Sequence, residues 1–468
     1  MVYVLLRALL RHALAIFFRR IEIEGKERVP EEGPLLLASN HPNTLIDVLL
    51  AAAFLERKVG FVAKAGLFTH PVVGPIIRFL GAVPVERRMD GPIDDAARAK
   101  NAQVLAACEE RVASGGALLI FPEGTSLDEP RLQPFKTGAA RIALGAEKRA
   151  PGRVQVVPVS LVYDAPGTFR SRARVRYGEP LPAAAFAKLD VEGGAEFTAA
   201  RALTQAIRDV MVDEVVHVEG EDAPLVRDLT ELYGAAVAAE AGGQLAASAA
   251  ISRAVRAFKH TDPARVAAVR AQVADYRAAL SKAGVDDAVV RVAKHRTPTS
   301  LEDLGLWLGS PVAVWGILNH VILYNLPRVV LRLTAPEGVF AASVKLTVGF
   351  VGLFLVYAVQ GGLVGWYLGP LAATLYLLSL PISGVAALLW LEGLFARQEH
   401  RRARRARSRL DPATRTDLEG RRATLLRELD RARVAYLSSA LEAPAPGSSP
   451  PQLAAPQPAP LVPAPPAS

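Results

Sequence analysis

A histidine and an aspartate six positions apart open the chemically suggestive part of this chain, in Asn40-His41-Pro42-Asn43-Thr44-Leu45-Ile46-Asp47. An imidazole can take a proton from a hydroxyl, and a carboxylate on its second nitrogen fixes the tautomer and stabilises the imidazolium that forms. Residues suited to an anion follow. Arg87 closes the apolar run GAVPVER that starts at Gly81, and its planar fork suits a phosphate, with Arg88 adding charge. Glu123, Gly124 and Thr125 lie in the segment FPEGTS, where a glycine permits a tight turn that exposes backbone N–H groups. Asn43, Lys64 and Lys136 complete the candidate substrate contacts. Together these are the ingredients of acyl transfer to an anionic acceptor. Singly, each also has a structural reading: the His-Asp pair as a buried polar link, Arg87, Lys64 or Lys136 as a solvated charge, Glu123 as a cap or ion-pair partner.

The spacing constrains the backbone. Six residues turn through about 600° on an ideal helix, which leaves two side chains about 120° apart. His41 and Asp47 therefore cannot face each other on one regular helix. The arrangement that joins them puts residues 39–42 in a loop after a strand, with Asn43 as N-cap and a helix from Thr44 onward. The surrounding pattern supplies such a frame. Apolar runs at Pro34–Leu37, Val59–Ala63, Ala82–Val85, Ala117–Phe121 and Val154–Val162 read as strands, with helical stretches at Thr44–Phe54 and Ala96–Val112. Strands alternating with helices imply an α/β domain, a largely parallel sheet flanked by helices over about residues 21–190. Pro158, inside the last apolar run, reads as a sheet-edge feature.

The remainder divides by composition. Met1–Arg20 is apolar but interrupted by Arg7, Arg11 and His12, an amphipathic interfacial pattern and not a signal peptide. Residues 191–300 are Ala-rich, charged and helix-favouring, with breaks near Gly220 and Asp262-Pro263, and carry no recognisable chemistry. Leu346–Leu368 is uncharged for 23 residues and Pro370–Leu391 for 22, each long enough to span a hydrocarbon core, so a transmembrane hairpin is expected over residues 340–395. Residues 301–335 hold Asn319, Asn325, Pro327, Arg328 and Arg332, which favours a membrane-surface or re-entrant segment. A basic cytoplasmic helix is expected over residues 396–441, and a disordered Pro/Ala-rich tail over 442–468.

Bulk properties narrow the partners. The chain has 468 residues, a net charge of +9 and a mean hydropathy of +0.22, so its apolar residues must be concentrated somewhere. Much of the positive excess, Arg397–Arg409, directly follows the expected hairpin and reads as a cytoplasmic flank; it has no interleaved aromatics, which disfavours nucleic acid. Cys108 is the single cysteine, excluding an intramolecular disulfide and a cysteine metal cluster.

In order and spacing these blocks resemble the glycerolipid acyltransferase family of bacterial lysophosphatidate and glycerol-3-phosphate acyltransferases, over about residues 20–185. The resemblance implies that His41 and Asp47 are the catalytic pair, and that Gly81 and Arg87 form the block contacting the acceptor phosphate. Phe121-Pro122-Glu123-Gly124 matches the acceptor-binding block and Pro158 the apolar proline block. Five residues separate His41 from Asp47 where most members have four. That spacing looks more like the fungal endoplasmic-reticulum glycerol-3-phosphate and dihydroxyacetone-phosphate acyltransferases and their bacterial relatives. The implied activity moves a fatty acyl group from acyl-CoA or acyl carrier protein to glycerol 3-phosphate or dihydroxyacetone phosphate. The alternatives are lysophosphatidate as acceptor, or a non-catalytic phospholipid-binding adaptor. No metal or redox cofactor is implied, the partners are a phospholipid membrane, the thioester donor and a glycerol phosphate-type acceptor, and the expected location is a bacterial inner membrane with the catalytic domain facing the cytoplasm.

Overall fold

The central strands are apolar on both faces and so must be covered on both. In β2 (Leu35–Ser39) every residue is buried, Leu35 and Leu37 in one core cluster and Leu36 and Ala38 in the other. This is the mark of a parallel sheet sandwiched between helices. The computed structural model describes residues 2–69, 73–85, 95–127, 131–190, 198–217, 220–292, 300–334 and 338–442.

The N-terminal half runs α1 (Val2–Phe17), β1 (Arg20–Glu24), β2, α2 (Leu45–Ala53), β3 (Val59–Lys64), α3 (Val73–Phe79), β4 (Val83–Val85), α4 (Asp95–Ala113), β5 (Ala117–Ile120), α5 (Gly138–Arg149), β6 (Gln155–Tyr163), β7 (Arg172–Tyr177), β8 (Leu181–Pro182) and α6 (Ala183–Ala187). Among the described residues the sheet has eight strands in the order β1-β7-β6-β2-β5-β3-β4, with β8 also on β6. β6 meets β7 and β8 antiparallel, and the other pairings are parallel. α1 and α2 cover one face; α4, α5 and α7 (Thr198–Val212) cover the other.

The five expected strands are present, and three more join them. β1, β7 and β8 are charged or short; β7 is RARVRY, and its Arg174 and Arg176 pair with Glu24 and Glu214 from distant parts of the chain. Pro158 does not lie at a sheet edge. β6 is interior, and Pro158 pairs with Ala38 of β2. Its carbonyl accepts from Gly178 N at 2.8 Å, so its missing N–H points to the side where β6 changes partner from β8 to β7 and no ladder bond is lost.

α1 is amphipathic but turns its charged stripe inward. Arg7 Nη1 donates to Leu55 O at 2.8 Å and Arg11 Nε to Ala53 O at 2.6 Å, satisfying carbonyls at the end of α2, while Val4, Leu5, Leu9 and Ile16 stay exposed.

The C-terminal half is helical: α7, α8 (Ala223–Ala241), α9 (Gln244–Thr261), α10 (Pro263–Lys282), α11 (Asp287–Arg291), α12 (Ser300–Thr334), α13 (Ala341–Leu368), α14 (Pro370–Arg409) and α15 (Pro412–Glu442). Three stretches are long and apolar enough to cross a membrane: Leu304–Thr334, Gly338–Leu368 and Pro370–Arg409. The first lies in one continuous helix that contains Pro311 and Pro327. Its asparagines do not interrupt it, because Asn319 Nδ2 and Asn325 Nδ2 donate to the carbonyls of Trp315 and Val321 one turn back. α13 and α14 join at Gly369 and then follow different halves of α12. Asn319 O accepts from Gln360 and His320 meets Tyr357 on α13, whereas Trp315 donates to Ser379 and Trp390 to Leu306 along α14. The expected basic helix of residues 396–441 is in fact the end of α14 followed by α15. Asp411-Pro412 separates them, Asp411 Oδ2 accepting from Thr414 N at 2.8 Å. The expected disordered tail from residue 443 onward lies outside the described residues.

Candidate functional site

The loop between β2 and α2 is anchored at both ends. Asn40, first after the strand, clamps the main chain of Leu161 on β6: its Nδ2 donates to Leu161 O at 2.9 Å and its Oδ1 accepts from Leu161 N at 2.8 Å. Asn43 Nδ2 donates to Pro166 O at 3.0 Å. Asn43 is therefore not the helix cap. Helix α2 begins at Leu45, and Thr44 before it has φ 45° and ψ −118°, in the left-handed half of conformational space. For a β-branched residue this conformation costs on the order of 1–3 kcal/mol, so surrounding contacts must hold it.

That backbone brings the imidazole back over the first turn of α2. His41 Nδ1 lies 2.9 Å from Asp47 Oδ2, with Asp47 wholly buried. The same oxygen accepts the Asn43 N–H at 2.6 Å, and Oδ1 accepts the Tyr163 hydroxyl at 2.5 Å. Burial, and the Asp47 carboxylate to which it donates, keep the Tyr163 phenol protonated. An ionised carboxylate only accepts, so its natural partner is the Nδ1–H tautomer, which leaves Nε2 to receive a proton. The ring is further fixed by stacking on Phe121, with centroids 3.8 Å apart and planes 13° from parallel. Tyr163, Asn40 and the stacking role of Phe121 are not visible in the sequence motifs. Tyr163 comes from the far end of β6, and its only sequence signal is a tyrosine closing an apolar strand.

The second block packs directly against the first. Glu123 is buried, and burial raises its pKa to about 8, with the Asp47 charge adding to the rise and hydrogen bonds from the His41 and Gln133 main chain opposing it. It is thus held largely neutral at pH 7, a donor as well as an acceptor. Gly124 has φ 68°, and a Cβ there would meet Lys136 Nζ at 2.7 Å, so glycine admits the lysine against the turn. Lys136 N donates to Pro122 O at 2.8 Å, tying the two segments together. Thr125 is half-buried in the same loop, and Ser126 Oγ accepts from Thr44 N at 3.2 Å.

Gly81 has φ 85° in the turn before β4, where a Cβ would collide with the Arg111 guanidinium of α4. Lys64 is the last residue of β3. Arg87 and Arg88 lie outside the described residues.

A cleft of about 660 Å³ opens beside the dyad. Pro42, Glu123 and Tyr163 line it together with Arg227 and Thr230 of α8 and Ser248 of α9. Helices in which the sequence shows no chemistry therefore bound the site.

Residues 4–162 match the Acyltransferase family, a stretch containing the dyad loop, the GAVPVER segment and FPEGTS. The chloroplastic 1-acyl-sn-glycerol-3-phosphate acyltransferase BAT2 of Brassica napus is 35% identical over 147 residues, 31% of this chain and 38% of that protein. Glycerol-3-phosphate O-acyltransferase 2 of Saccharomyces cerevisiae is 51% identical over 67 residues, 14% of this chain and 9% of that protein. The chain thus spans well under half the length of these relatives. Among solved structures, the crystal structure of the 1-acyl-sn-glycerophosphate acyltransferase PlsC from Thermotoga maritima is 21% identical with a TM-score of 0.31, covering 42% of this chain and 75% of that one.

Proposed function

We propose that this chain, which carries an acyltransferase domain within residues 4–162, is a membrane enzyme that moves a fatty acyl group from a thioester, acyl-CoA or acyl carrier protein, to glycerol 3-phosphate or dihydroxyacetone phosphate in phospholipid synthesis. The observation that carries this reading is the dyad: a buried carboxylate bonded to the His41 ring, the Asn43 N–H and the Tyr163 hydroxyl, beside a cleft. His41 Nε2 takes the acceptor's hydroxyl proton as the oxygen attacks the thioester carbonyl. The C–O bond forms, the C–S bond breaks, and the thiolate leaves with the proton from His41. Asp47 keeps the imidazole oriented and compensates its transient charge, a role worth roughly 10²- to 10⁴-fold in rate for general-base catalysis. Arg87, Lys136 and the turn at Glu123-Gly124 hold the acceptor's phosphate end, and Asn43 and Lys64 complete the candidate contacts. No metal or redox cofactor takes part in the reaction so written.

The three apolar helices support work at a bilayer, where both the acyl chain and its product reside. The basic end of α14, Arg397–Arg409, supports an inner-membrane placement with the catalytic domain on the cytoplasmic side. Identity to the Brassica lysophosphatidate enzyme favours a second acceptor reading, 1-acylglycerol 3-phosphate. The deciding experiment gives the purified protein labelled acyl-CoA with glycerol 3-phosphate, dihydroxyacetone phosphate or lysophosphatidate in turn. Turnover with glycerol 3-phosphate or dihydroxyacetone phosphate supports the main reading, and turnover confined to lysophosphatidate the second. Vesicle binding without thioester consumption would instead indicate a lipid-binding adaptor.

A further inference from the structure

The strained residue between His41 and Asp47 is held from outside the acyltransferase match. Thr44 Oγ1 lies 2.5 Å from Ser343 Oγ and donates to Val339 O at 3.4 Å. Ser343 is in the first turn of α13, one of the three apolar helices, almost 300 residues further along the chain. The contact is part of a built joint. Ala342 and Leu346, flanking Ser343 on the same helix, are buried in the core cluster that contains Ile46 and Leu50 of α2. Lys345 Nζ donates to Gly167 O at 2.5 Å, and the preceding residue, Pro166, receives the Asn43 side chain. The start of α13 therefore grips the dyad loop at Thr44 directly and braces the segment that receives Asn43.

We infer that Ser343 is a positioning residue for the dyad, so that the apolar helix α13 holds the catalytic loop in its working conformation as well as supplying apolar surface. The inference rests on the reading that His41 and Asp47 carry the reaction. Thr44 has no intrinsic reason to remain at φ 45°, and it is held there by Ser126 on its N–H and by Ser343 and, more distantly, Val339 O on its side chain. When the Ser343 hydroxyl is removed, Thr44 relaxes toward ordinary φ, and the adjacent Asn43 N–H is drawn off Asp47 Oδ2. The acid-base geometry degrades while the substrate contacts at Glu123, Gly124 and Lys136 remain.

The test uses the full chain in phospholipid vesicles with acyl-CoA and the acceptor it turns over. Ser343→Ala is expected to lower kcat about tenfold with KM for acyl-CoA nearly unchanged, the pattern of a defect felt in the transition state alone. Adding Thr44→Gly to Ser343→Ala restores kcat, because glycine takes the left-handed φ without support. Full kcat in Ser343→Ala, or a loss that Thr44→Gly leaves uncorrected, overturns the assignment. If the wild-type protein transfers no acyl group, the proposed activity fails and the joint is read by amide hydrogen exchange over residues 40–47. Protection there drops in Ser343→Ala and returns in the double variant, whereas equal protection in all three proteins overturns it.

Discussion

Asp47 and Asp287 are both buried, at 0% and 1% exposure, and each accepts a hydrogen bond from a tyrosine hydroxyl, yet their surroundings suit opposite tasks. In the α/β domain, Asp47 meets the Tyr163 hydroxyl, the Asn43 N–H and the His41 ring, beside a cleft. In the helical half, Asp287 meets Tyr276 together with the guanidinium groups of Arg422 at 2.8 Å and Arg291 at 3.0 Å, joining α10, α11 and α15. A carboxylate between two guanidinium groups is already neutralised and can only hold helices together. Asp47 has no guanidinium among its hydrogen-bond partners, which fits the proposed task of compensating charge on His41. The distinction lies in the partners and not in the burial.

Breaking each site separates the two roles. Asp47→Asn should cut kcat by about 10³-fold or more through loss of the correct histidine tautomer, with little change in melting temperature; combining it with His41→Ala should cost little beyond the larger single effect, because the pair acts as a unit. Steady-state kinetics of the three variants check this. Asp287→Ala should instead lower stability by about 3–5 kcal/mol, the usual cost of stranding a buried partner, while kcat per folded molecule is retained; denaturation followed in parallel with turnover reads both.

How much of this contrast was legible in the sequence differs by region. The apolar strands and the loop position of His41 follow from periodicity and helix geometry, since His41 and Asp47 cannot meet on one regular helix. Tyr163, 116 positions from Asp47, and Ser343, almost 300 from Thr44, could not be read, because only the sheet order and the docking of α13 bring them in. β7 was hidden for a related reason: its arginines look solvent-facing until Glu24 and Glu214 arrive from elsewhere. The helical half gave its elements readily from composition but concealed that α8 and α9 wall the cleft, a relation set by tertiary packing alone.

Two milder substitutions remove a single hydroxyl from each carboxylate. Tyr163→Phe removes one donor from the Asp47 charge, and a hydrogen bond to a charged group is worth about 1.5–3 kcal/mol, so kcat should fall by roughly ten- to a hundredfold at near-normal KM. The equivalent Tyr276→Phe, beside the neutralised Asp287, should leave kcat at the wild-type value.

The smallest effect concerns Glu123, whose pKa rises from an ordinary 4.5 to about 8 on folding. A raised carboxyl pKa means that the folded state binds the extra proton, so its contribution to stability is complete below about pH 4.5 and is lost as pH climbs through about 8. Glu123→Gln mimics the neutral form. The melting temperature of this variant should decline less than that of wild type between pH 5 and pH 8, with kcat changed by only a few-fold; equal slopes for the two proteins would show that Glu123 is ionised in the folded state.

The most direct measurement is acceptor-dependent release of free thiol from acyl-CoA by the vesicle-reconstituted protein, compared with His41→Ala of matched folding. Steady thiol release by the wild type is expected on addition of a glycerol phosphate-type acceptor, with a rate near background in the variant. Equal release by both proteins would rule out His41 as the base, because the reaction would then proceed without it.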